Sequence, residues 1–134
     1  TMIMKDGKLY EKPVDNEDAK RMLKELQGEP NVVITSLCVL IEDNGKYSEY
    51  TDYDKVKLYL KNMSDEEIEK WVQIGEPLDK AGGYAVQGKF CVYIDRVDGN
   101  YTSAVGLPMH KLYDVIKKYK MFDIPMFVWY YKGK

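Results

Sequence analysis

Apolar residues recur along the chain with two periods, and the switch between them outlines its elements. Met2 to Met4, a turn on Asp6-Gly7, and Leu9-Tyr10 read as two short extended pieces. Ala19, Met22, Leu23 and Leu26 then fall at i, i+3, i+4 and i+7, which predicts an amphipathic helix. Asp15 is its expected N-cap, Asp18 its third residue, and Gly28 its stop. Val32 to Ile41 is apolar and β-branched enough for a strand buried on both faces, and Glu42-Asp43-Asn44-Gly45 supplies a hairpin turn. The returning segment, Tyr47 to Tyr59, alternates aromatic and aliphatic residues with charged ones, so one of its faces should be wet.

Ser64-Asp65-Glu66-Glu67 is a capping box that opens a helix with Ile68, Trp71 and Val72 on its inner side. From Gly75 to Gly88 the pattern turns irregular and glycine-rich, which predicts a long ordered loop. Phe90 to Ile94 reads as another strand, Asp98-Gly99-Asn100 as a turn, and Pro108 as the first residue of a helix. In that helix Leu112, Val115, Ile116 and Tyr119 should face inward. Met126 to Tyr131 reads as a final strand. One clear hairpin among irregularly alternating strands and helices favours a mixed α/β fold, a mixed sheet covered by helices, over a purely parallel one.

At 134 residues the chain is expected to form a single domain over 1–134, with residues 123–134 an aromatic C-terminal extension. Its net charge of −2 gives no global basic field to attract nucleic acid, which leaves a local phosphate site as the electrostatic option. The longest apolar run falls short of the ~18 residues that span a bilayer, and Lys5 and Asp6 interrupt the apolar start. The expectation is a cytoplasmic protein without a membrane partner. Cys38 and Cys91 lie in apolar runs without a close-spaced partner, and read as buried free thiols.

Three stretches depart from core-and-surface logic. In Glu11-Lys12-Pro13-x-Asp15 a lysine sits just ahead of a helix N-terminus, where amide groups and the helix dipole also favour phosphate. The same lysine also reads as a solvated turn residue. Gly75 to Gly88 sets Glu76, Asp79, Lys80 and Gln87 among glycines that let backbone approach a ligand. Gln87 carries both a donor and an acceptor, which suits the edge of a nucleobase, while Glu76, Asp79 and Lys80 equally suit an ion-pair network bracing the loop. Gly99 to Pro108 reads as a turn with close backbone packing. The single histidine, His110, has no partner nearby in sequence, so Ser-His-Asp catalysis is not expected.

Taken in order, Lys12-Pro13-x-Asp15, Met22-Leu23-x-x-Leu26-x-Gly28, Thr35, Gly75-Glu76-Pro77-x-Asp79-Lys80-Ala81-Gly82-x-Tyr84-x-x-Gln87-Gly88 and Val105-Gly106-Leu107-Pro108 resemble the Maf family of nucleoside triphosphate pyrophosphatases. The match runs nearly from Thr1 to Tyr119. The resemblance implies a Maf/ITPase-like fold, a twisted mixed sheet between helices with the site in a cleft between two lobes. It also implies hydrolysis of a nucleoside triphosphate to the monophosphate and pyrophosphate with a divalent metal cation, Mg²⁺ or Mn²⁺. By the same resemblance Lys12 contacts phosphate, Lys80 joins it in binding substrate, and Gln87 selects the base. Thr1 matches the threonine of an Ala-Asp-Thr motif that is also linked to selectivity, and threonine with glutamine resembles the branch that prefers dTTP and UTP.

The family's phosphate loop, metal-binding glutamate, a further lysine and proposed proton-acceptor aspartate all precede the position that Thr1 matches. The chain is therefore expected to hold the larger, C-terminal part of an N-terminally truncated fold, with its catalytic residue unassigned. The competing expectation is a catalytically incomplete nucleotide-binding or protein-interaction module, a homodimer through Met126 to Tyr131.

Overall fold

Residues 1–119 are described by a computed structural model. Strand β1 (Met2–Lys5) turns into β2 (Lys8–Tyr10) and is followed by helix α1 (Asn16–Leu26), the long hairpin β3 (Asn31–Asp43) and β4 (Lys46–Leu60), and helix α2 (Asp65–Ile74). Short 3-10 turns occupy Pro77–Asp79, Ala81–Gly83 and Gly88–Tyr93 before β5 (Ile94–Asp98), α3 (Tyr101–Val105) and α4 (Met109–Lys118) close the described chain. The strands form one sheet in the order β2-β1-β3-β4-β5, and every described pairing is antiparallel. The mixed α/β class expected from the sequence is the class observed. The expected strand at Met126 to Tyr131, and the whole extension from 123, lie outside the described residues.

Local signals place the helices as the sequence predicts. Asp15 caps α1 by accepting from the Asp18 amide at 2.7 Å, and Ala19, Met22, Leu23 and Leu26 are its buried residues. Lys5 reaches across from β1 to donate to the carbonyls of Glu25 and Gln27, which sets a cation on the C-terminal end of the helix dipole. Ser64 and Glu67 complete the capping box of α2. Ile3, Val33 and Val56 share a register position and one face, and with α1, α2 and Phe90 they form the core.

Five expectations are corrected. Strand β3 is buried on one face only: Val33, Thr35, Leu37 and Ile41 point inward while Ser36, Cys38 and Leu40 are exposed. No described helix packs the second face, so alternation rather than double burial results. Cys38 falls on that outer face and Cys91 in a 3-10 turn, so both thiols are exposed. Phe90 to Tyr93 is a 3-10 segment, because Phe90 is drawn into the core against Trp71, Tyr84 and Tyr93. The stretch after Gly99 contains the helix α3, whose start Asn100 caps by accepting from the amides of Thr102 and Ser103. In α4, Pro108 is the N-cap rather than the first residue, and Val115 alone is fully buried while Tyr119 stays 40% exposed.

Candidate functional site

The glycine-rich segment is held from beneath by aromatic packing. Trp71 on α2 donates its indole N–H to the Gly83 carbonyl at 2.9 Å and meets the Phe90 ring edge-on at 4.9 Å. Pro77, Tyr84 and Val86 of the segment are themselves buried, as is Phe90 just beyond it. Extended backbone at Tyr84 and Gln87 then gives a period-two alternation, with Tyr84 and Val86 in the core and Gln87 exposed. Gly82 adopts φ +70 in the middle of this turn and donates its amide to the Glu11 carbonyl at 3.0 Å. That bond ties the segment to the end of β2, next to Lys12.

Strand β2 is itself clamped to α1. Glu25 accepts from Lys8, from the Tyr10 hydroxyl at 2.8 Å and from Arg21 at 2.9 Å. The Lys8 hydrogen bond, reinforced by Tyr10 and Arg21, holds the Glu25 carboxyl down to about 2. Burial, with the same carboxylate beside it, pushes the Tyr10 phenol up to about 12.

These two supports enclose a cavity of about 510 Å³ lined by Thr1, Lys12, Asp79, Lys80 and Gln87, together with Glu11, Tyr84 and Val105. Its size is that of an ordinary small-molecule site. Thus Thr1, Lys12, Lys80 and Gln87, separated widely in sequence, border one space. Lys12 is paired with Asp79 at 3.1 Å, and that hydrogen bond draws the Asp79 carboxyl below its usual range. The pair is exposed at both ends, so a phosphate can compete with Asp79 for the ammonium at little cost. Glu76 is placed differently: it sits at φ +54 outside the cavity lining, and its carbonyl, accepting from the Asp79 amide at 3.5 Å, is what meets the loop. Gln87 makes no side-chain hydrogen bond among the described residues, which leaves its amide available to a ligand.

Sequence reasoning passed over two features. Glu11 is a second acidic residue of the cavity lining, and its signal lay in the Glu-Lys-Pro string, where only the lysine drew attention. His110 does have a carboxylate neighbour, Asp54 on β4 at 3.5 Å, which no local pattern discloses. Among the described residues no three carboxylate, imidazole or thiolate groups converge. The cavity offers Glu11 and Asp79, the latter engaged by Lys12, and this set does not fit a resident Mg²⁺ or Mn²⁺. No described helix is long and apolar enough to cross a membrane.

Known proteins share this arrangement of sequence. The chain is 38% identical over 118 residues to a dTTP/UTP pyrophosphatase of Caldanaerobacter subterraneus subsp. tengcongensis, covering 88% of the chain and 56% of that protein. It is 38% identical over 125 residues to a dTTP/UTP pyrophosphatase of Chromobacterium violaceum, covering 93% and 61% respectively. It is 39% identical over 118 residues to a dTTP/UTP pyrophosphatase of Methanosarcina barkeri, covering 88% and 59%. The chain therefore spans roughly three-fifths of the length of the curated relatives it matches. The family model described as Maf-like protein matches residues 1–119, the same residues that build the sheet, the clamp and the cavity, and the chain belongs to the Maf-like family.

Proposed function

We propose that this chain carries the base- and phosphate-recognising part of a pyrophosphatase that cleaves dTTP and UTP to the monophosphate and pyrophosphate. The observation that carries the reading is the shared cavity, in which two ammonium groups and an unengaged amide border one space. Lys12 and Lys80 supply the positive charge that a triphosphate tail requires, and Lys12 reaches it by exchanging Asp79 for phosphate oxygen. Gln87 offers a donor and an acceptor to a base edge, and Thr1 a hydroxyl. The names of the relatives support the choice of thymine and uracil nucleotides.

Attack of water on the α-phosphorus also needs a proton acceptor. Asp79 is released only as phosphate takes its place on Lys12, and among the described residues the cavity lining holds no acidic residue besides it and Glu11, which favours a second reading: a module that binds nucleotide without turning it over. Pyrophosphate release from dTTP and UTP, measured beside calorimetry with a non-hydrolysable triphosphate, separates the two. Release that Lys12→Ala lowers severely supports the enzyme. Heat of binding without release supports the module, and neither signal would overturn both.

A further inference from the structure

The hydroxyl of Thr1 is not free to choose its role. Thr35, 1% exposed on β3, lies at 2.9 Å from Thr1 Oγ1 and also donates to the Ser103 carbonyl at 2.9 Å. A carbonyl oxygen only accepts, and a threonine hydroxyl has a single proton to give. That proton is committed to Ser103, so Thr35 can only accept from Thr1. Thr1, a residue of the cavity lining, therefore spends its hydroxyl proton on Thr35, and its hydroxyl has lone pairs alone left to offer. The arrangement is anchored further out, because Ser103 Oγ donates to Asp54 at 2.6 Å and fixes α3 against β4.

We infer that Thr35 is a positioning residue that fixes the hydrogen-bonding sense of Thr1, making it an obligate acceptor for a ring N–H of the bound base. The inference rests on the nucleotide reading above and deepens it. Uracil and thymine present a donor at N3, whereas cytosine presents a lone pair there. An obligate acceptor meets the first with a hydrogen bond and the second with repulsion between lone pairs. Discrimination thus comes from a buried side chain that touches no ligand, and the device works only while the Ser103 carbonyl claims the Thr35 proton.

The test uses the full 134-residue chain, Mg²⁺, and calorimetry with α,β-imido-UTP and α,β-imido-CTP. The wild type should bind the uracil analogue more tightly. Thr35→Val keeps the shape of the side chain but frees the Thr1 proton, and it should shrink the uracil-to-cytosine affinity ratio about tenfold. Thr35→Ser should restore the ratio. A purely structural role for Thr35 would weaken both analogues together, so binding by Thr35→Val with an unchanged ratio would overturn the inference while sparing the nucleotide reading. Absence of binding to either analogue by the wild type would instead overturn that reading, and the inference with it. If Thr35→Val does not fold, the ligand side decides: N3-methyl-UTP should bind the wild type no better than the cytosine analogue, and binding equal to that of unmodified uracil would refute the acceptor role.

Discussion

Replacing Gly82 by alanine tests whether the cavity wall is held by close packing against the core or merely by backbone conformation. Gly82 sits at φ +70, and a Cβ built on it would stand 2.9 Å from Ile3 Cδ1 and 2.9 Å from Leu26 Cδ1. Gly88, in the same glycine-rich segment, has nearly the same conformation at φ +76, but a Cβ there meets nothing within 4 Å. The two alanine variants therefore share a left-handed backbone penalty of about 1–2 kcal/mol. Only Gly82→Ala adds overpacking, because Leu26, 0% exposed, is closed in by the core, although Ile3 borders the cavity and can yield in part. Crowding of that kind costs typically 1–3 kcal/mol. The expected losses are about 1–2 kcal/mol for Gly88→Ala and about 2–5 kcal/mol for Gly82→Ala. Urea denaturation followed by far-ultraviolet circular dichroism, with the slope held common, measures both. Losses that agree within about 0.5 kcal/mol would refute the packing argument and leave only backbone strain.

Three further outcomes follow from the same geometry. Trp71→Phe removes the indole donor from the Gly83 carbonyl and shrinks a buried ring, so stability should drop by about 2–4 kcal/mol in the same denaturation assay. Gln87→Ala breaks no hydrogen bond among the described residues, so it should leave stability within about 0.5 kcal/mol and alter the preference between nucleotide bases in binding assays. Glu25 titrates lower in the folded chain, at about 2, than its ordinary 4.5, so its contribution is fully present above about 4.5 and is lost as pH falls toward about 2. Because its side chain is 35% exposed, solvent screening reduces that contribution to about 1 kcal/mol, and Glu25→Gln should flatten the acid limb of a stability-versus-pH curve by that amount.

What the sequence by itself determined were the elements whose cause is local. Asp15 with Asp18, Ser64 with Glu67, and Asn44-Gly45 between two apolar runs each act within a few residues, and each does in the fold what its spacing predicts. The motif order likewise identified the family, and Lys12, Lys80, Gln87 and Thr1 as residues to find together. Tertiary structure decided which way those groups point. Lys12 meets Asp79 across 67 positions, Thr35 meets Ser103 across 68, and Thr1 meets Thr35 across 34. Nothing in the sequence period says that a hydroxyl proton given to a distant carbonyl makes another hydroxyl an acceptor. Phe90 shows the same limit in the core, where rings from α2 and the loop drew a strand-like run into a 3-10 turn. Capping and turn geometry are settled by neighbours along the chain, whereas burial and hydrogen-bond sense depend on groups that only folding brings within reach.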